Sequence, residues 1–136
     1  MNVLNGIITE IRSNEGISLV KVKSNTFTFS SIVLDTPETV NYLVKDNVVQ
    51  IIFKETEVII AKDLNLAISI QNQIPCRIAS LKKGIILSQI NLVIQDSDQS
   101  IQSIITTNAC EQLDLKENDK VLALIKTNEV SLSAHD

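Results

Sequence analysis

The sequence predicts an all-β protein: two tandem small β-barrels of the OB-like sort, each carrying one short helix. Three observations carry this prediction. The 136-residue chain is 44% hydrophobic but only 3% aromatic, with no Trp, so its core is aliphatic. Much of that aliphatic content is β-branched Ile and Val, which suits a pleated, half-buried surface. Finally, one pattern of short alternating runs, polar turns and a helix signal occurs twice along the chain, and self-similarity of this kind is read before individual elements.

The repeat is visible in order rather than in identity. Asn2-Val3-Leu4-Asn5-Gly6 lies on Asn72-Gln73-Ile74-Pro75-Cys76, an offset of 70 residues (72 − 2). The strands that follow, Ile7–Ile11 and Arg77–Leu81, keep that offset, and each leads to a charged turn ending in glycine, Asn14–Gly16 and Lys82–Gly84. Late in each copy the match returns: Val48–Ile60 resembles Val121–Leu132, with Lys54 on Lys126 at an offset of 72 (126 − 54). Both segments read as an apolar pair, Lys, two residues, Glu, Val and an alternating strand. The expected domains are therefore 1–63 and 69–136, joined by a partly apolar linker strand at 64–68.

Each copy opens with two strands. In the second copy Ile86, Ile90, Leu92 and Ile94 share parity and are expected on one face, with Ser88 interrupting it. A third strand is expected at Thr26–Leu34 and at Ile101–Thr106. A short helix follows: Thr36 as N-cap with Pro37 at the first helical position in the first copy, Asn108 with Glu111 as a capping box in the second. Polar turns at Lys45–Asn47 and Lys116–Asp119 lead to the last two strands. A 65-residue unit buries only about 60% of its unfolded surface, so two such units gain by packing and by oligomerising.

Composition excludes several function classes. The formal net charge is −4, with a pI near 5.0, which is not the basic footprint of a nucleic-acid binder. Stacking aromatics are few: Phe27, Phe29, Tyr42 and Phe53 are the whole set. No run approaches the ~18 apolar residues that span a bilayer, and the N-terminus lacks a secretory pattern. The chain is expected in the cytoplasm, with Cys76 and Cys110 as free thiols. The single histidine, His135, stands next to the C-terminus, so His-based catalysis and His-rich metal sites are not expected. With three glycines in all, no phosphate-cradling loop can form. The acidic run Asp96–Asp98 reads as a solvated turn. Nothing resembles a catalytic constellation, so no enzyme activity and no cofactor are expected.

What remains is hydrogen bonding by neutral groups beside isolated lysines. That chemistry suits a small tetrahedral oxyanion, which offers acceptors only and is complemented by hydroxyls, amides and a cation. Ser69, Gln71 and Asn72 supply such donors in one segment; Lys126, Thr127 and Asn128 supply them in another.

At this point the sequence resembles the molbindins, built from Mop domains of the wider TOBE class. Their signature is Ser-Ala-Arg-Asn, an apolar residue two positions on and a glycine two beyond; this chain has Ser69-Ile70-Gln71-Asn72-Gln73-Ile74-Pro75-Cys76. The family's Ile-Thr strand end, Leu-x-Leu-Lys-Glu-Gly-Asp turn and Ala-Leu-Ile-Lys strand correspond to Ile105-Thr106, Leu113–Asp119 and Ala123–Lys126. The resemblance spans the second copy well and the first loosely. It implies molybdate or tungstate binding at interfaces between Mop units, without turnover. It also implies a homo-oligomer, with a trimer suggested, and molybdate transporter or regulator components as partners. Carried over by position, the oxyanion-binding residues are Ser69, Gln71 and Lys126, with Thr127 and Asn128 beside the lysine and Lys54 as its first-copy counterpart. The departures are specific. Gln71 replaces the signature arginine and loses its charge and fork. Cys76 replaces the signature glycine, which Gly6 retains. The first copy has no signature serine, and Glu55 follows Lys54. These departures leave a second reading open: an interaction or regulatory TOBE-type module that has lost oxyanion binding.

Overall fold

The computed structural model describes residues Met1–His135. The elements are β1 (Asn2–Asn14), β2 (Ile17–Ser24), β3 (Phe27–Val33), β4 (Val48–Phe53), β5 (Ile59–Ala61), β6 (Asn72–Lys83), β7 (Leu87–Ile94), β8 (Ser100–Thr106), α1 (Thr107–Gln112), β9 (Lys120–Ile125) and β10 (Ser131–Ala134). Short 3-10 turns stand at Glu55–Glu57 and Thr127–Glu129. The all-β class holds, and the strands form two curled, five-stranded antiparallel sheets of OB-like design.

The compact units do not follow the repeats. One, unit I, comprises Met1–Phe53 with the chain from Lys126 onward; the other, unit II, comprises Lys54–Ile125. In unit I the strand order is β10-β4-β1-β2-β3, and in unit II it is β5-β9-β6-β7-β8. Each sheet is thus finished by the last strand of the other repeat, which departs from the contiguous 1–63 and 69–136 division expected from sequence. The reason is equivalence. The two closing segments share one pattern, and each seals its barrel by the same bond. Ser31 Oγ donates to Val130 O (2.5 Å) in unit I, and Ser103 Oγ donates to Val58 O (2.7 Å) in unit II. Residues 64–68 form no strand; Leu64 and Ile68 are exposed.

Within each unit one long strand bends to serve both halves of the curl. A register shift falls between Ile8 and Glu10 in β1 and between Ile78 and Ser80 in β6, the bulge that adds twist. There the chain also meets the polar turn before the next strand: Ile8 N donates to Asn47 O (2.9 Å) and Ile78 N to Asp119 O (2.9 Å). Asp46 (φ 72°) and Asn118 (φ 71°) supply the left-handed residue that each turn needs. The β1–β2 hairpin is a two-residue turn with Glu15 at φ 52° and Gly16 at φ 80°, the sign pattern whose twist matches antiparallel strands.

Three local expectations are corrected. The first repeat has no helix: after Thr36 the chain makes one turn, with Thr39 N and Val40 N donating to Thr36 O (3.0 and 3.2 Å). Thr36 Oγ1 accepts from Glu38 N (3.3 Å), so the cap forms, but β-branched Thr39 and Val40 do not propagate it. In the second repeat the cap is Thr106 rather than Asn108, its Oγ1 accepting from Ala109 N (3.0 Å). Ile86 is 74% exposed, because β7 begins one residue later. The apolar face is instead continued by Ser88. This residue is buried, with its hydroxyl paired to Thr107 Oγ1 (2.8 Å), and Thr107 Oγ1 in turn donates to Gly84 O (2.8 Å).

The cores differ in how they fill the same frame. Unit I packs Phe29 and Phe53 with Ile8, Val22 and Ile51; unit II is aliphatic, around Ile74, Ile78, Ile90, Leu92 and Leu124. At Gly6 of unit I, an added Cβ would stand 2.6 Å from Val22 Cγ1 and 3.0 Å from both Ile51 Cδ1 and Lys23 O. The counterpart in unit II is Cys76, and the counterpart of Ile51 is Ala123, both buried. Gly6→Ala is expected to destabilise by about 1–3 kcal/mol through overpacking, read as a lower urea midpoint at unchanged slope. An unchanged midpoint would show that Val22 yields freely.

Candidate functional site

The segment Ser69–Ile74 enters β6, and its donors divide into two sets. Asn72 is 1% exposed, and its Nδ2 donates to Ile125 O (3.0 Å), the residue with which it is also paired across β6 and β9. Gln73 Nε2 donates back to Ile70 O (2.9 Å). These two amides hold the strand entrance in shape and leave Asn72 out of the ligand set that the sequence suggested. Ser69 and Gln71 are exposed, and neither side chain makes a hydrogen bond to another described residue. The alternation of the strand explains the split: Asn72 and Ile74 point into the barrel, Gln71 away from it.

Lys126 immediately follows Ile125, the partner of Asn72. Both lysines of the repeat leave a buried strand in extended conformation, Lys54 at φ −76°, ψ 144° and Lys126 at φ −62°, ψ 146°. Each opens a 3-10 turn whose carbonyl is used: Glu57 N donates to Lys54 O and Glu129 N to Lys126 O, both at 3.0 Å. Both side chains are exposed, as is Asn128; Thr127 is half-buried. Ser69, Gln71 and Lys54 belong to unit II, whereas Lys126, Thr127 and Asn128 belong to unit I.

The remaining chemistry is narrow. Among the described residues no group of three or more His, Cys, Asp or Glu is placed to hold a metal ion. Cys76 is 4% exposed, and burial pushes its thiol up to about 12, opposed by a backbone hydrogen bond at Ala123. It is a protonated packing group at neutral pH and no nucleophile. Cys110 is buried and free. No helix of the described residues is long and apolar enough to cross a membrane.

The TOBE domain family model matches residues 68–132. Molybdenum-pterin-binding protein 1 of Clostridium pasteurianum is 35% identical over 69 residues, which are 51% of this chain and 100% of that protein. Molybdenum-pterin-binding protein 3 of the same organism is 32% identical over the same extents. In structure, the chain is similar to the cytoplasmic molybdate-binding protein ModG, crystallised with molybdate bound. The TM-score is 0.89 over 98% of this chain and 96% of that one, at 20% sequence identity, a likeness of fold. With a 69-residue relative matched end to end, and two barrels of one design in a single chain, the protein belongs to the molbindin family and is a tandem pair of Mop (TOBE) domains.

Proposed function

We propose that the chain binds molybdate, or the similar tungstate, as a non-catalytic cytoplasmic oxyanion store, at sites formed between Mop units of a homo-oligomer. The observation that carries the reading is exposed Lys126, with exposed Asn128 and half-buried Thr127, at the exit of β9; Ser69 and Gln71, exposed at the entrance to β6, are the further donors of the family signature. These groups offer a cation, a hydroxyl and amides, the complement of a tetrahedral oxyanion. Relatives named molybdenum-pterin-binding proteins support a molybdenum oxyanion as the ligand. Lys54 is the corresponding cation of the first repeat, with Glu55 beside it. Transporter or regulator components are the partners such a store would serve.

The test is thermal unfolding of anion-free protein with added molybdate, sulfate or phosphate. Binding to the folded state alone stabilises by mass action, about 2.7 kcal/mol at a hundredfold excess over Kd. Molybdate should therefore raise the midpoint by several degrees, and Lys126→Ala should remove most of that shift. Equal shifts with sulfate, or an undiminished shift in Lys126→Ala, would overturn this site. A second reading, an interaction module without oxyanion binding, is favoured by Gln71 in place of the signature arginine. No molybdate shift at millimolar concentration would establish it over the first.

A further inference from the structure

Beyond the oxyanion residues, unit II carries a cationic pair that unit I lacks. Arg77 of β6 and Lys120 of β9 are directly opposed across the sheet, both exposed. Like charges at such a position are destabilising, and neither forms an ion pair with a described carboxylate, although Lys62 and Lys116 of the same unit do, with Asp119 and Asp114. The arginine is also oriented: its Nη1 donates to Asn118 Oδ1 (3.2 Å), on the turn residue held at φ 71°. The same register in unit I pairs Ile7 with Val48, and the turn position carries Asp46. One barrel therefore builds an apolar pair where the other builds two unneutralised cations with a carbonyl oxygen aiming one of them.

Arg77 and Lys120 border a concavity of about 350 Å³, lined also by Val93, Gln95, Asp96 and Ser97 of β7 and the turn after it. We infer that this concavity binds a small organic oxyanion, its phosphate or carboxylate group held by Arg77 and Lys120 and its organic body lying over Val93. The guanidinium fork matches two acceptor oxygens, and the ammonium meets a third oxygen of a phosphate or a remaining lone pair of a carboxylate. The volume exceeds that of a tetrahedral inorganic anion, leaving room for a body. Asp96 in the same lining leaves one net positive charge, which admits a single anionic group and disfavours polyanions. The site uses none of the molybdate-site residues, so it stands or falls separately from that function.

The test is a titration of the full-length ¹⁵N-labelled protein with phenyl phosphate, benzoate and inorganic phosphate, following the Arg77 side-chain N–H and the amides of Gln95 and Ser97. Saturable shifts with phenyl phosphate or benzoate support the site, and the tighter of the two identifies the oxyanion source. Arg77→Gln and Lys120→Gln, both at exposed positions, should each weaken binding about tenfold, while Lys126→Ala should leave it unchanged. No saturable shift, or equal affinity in Arg77→Gln and Lys120→Gln, overturns the proposal. Inorganic phosphate binding as tightly as phenyl phosphate overturns the organic body.

Discussion

Phe29→Ala is expected to lower stability by about 3–5 kcal/mol, the usual cost of deleting a fully buried ring and leaving its cavity. Phe29 is wholly buried. It meets Phe27 edge-to-face at a centroid distance of 4.9 Å and Phe53 at 5.9 Å with the rings tilted by 35°. Such pairs add to the area term, and a loss of this size is a large share of a typical domain's total. The effect should be local. Phe27, Phe29, Tyr42 and Phe53, the whole aromatic set, lie in unit I. Tyr42 fluorescence should therefore report the loss in urea unfolding. Phe29→Leu, which refills most of the volume, should cost well under half as much. A loss below about 1 kcal/mol for Phe29→Ala would mean that the barrel collapses into the cavity.

Gln71→Arg is expected to tighten molybdate binding about tenfold, if the proposed site is used. The glutamine occupies the position at which the family signature has arginine, and its side chain is exposed at the β6 entrance with no described partner to disrupt. Arginine would exchange a neutral donor for a charged fork, and charge-assisted hydrogen bonds are roughly twice as strong as neutral ones. Calorimetric titration of the two proteins side by side measures the difference. Unchanged affinity would remove position 71 from the ligand set and leave Lys126 as the charged group at that site.

Much of the fold was legible because the local signals agree with one another. The glycine-ended hairpin turn, the polar turns with left-handed Asp46 and Asn118, and the alternating strands all point to one architecture, and they do so twice. Two features were not legible. The exchange of closing strands leaves no mark, since the segments after Lys54 and Lys126 are interchangeable by pattern and pair with equivalent serines. The first-repeat helix was misread because a good cap at Thr36 and Pro37 says nothing about the β-branched residues behind it. At the candidate site, the division of Ser69–Ile74 was not legible. The amides of Asn72 and Gln73 serve the backbone, and only strand parity separates them from Gln71. Arg77 and Lys120 carry no signal singly, because each alone is an ordinary surface charge. Laying the repeats on each other, so that Ile7 and Val48 fall beneath them, is the signal that would have found them.

The exchanged strands also bear on how the protein is made. Ser31 waits for a carbonyl 99 residues away, whereas Ser103 uses one 45 residues behind it. During synthesis from the N-terminus, the unit whose strands emerge first therefore cannot close until β10 has followed β9 out. The unit that begins second already has its closing strand in hand when Ile125 appears. Sequence-distant pairing of this kind is slow and leaves edges open meanwhile. The N-terminal barrel, first to start and last to finish, is where a ribosome-bound chain is most exposed to misassociation.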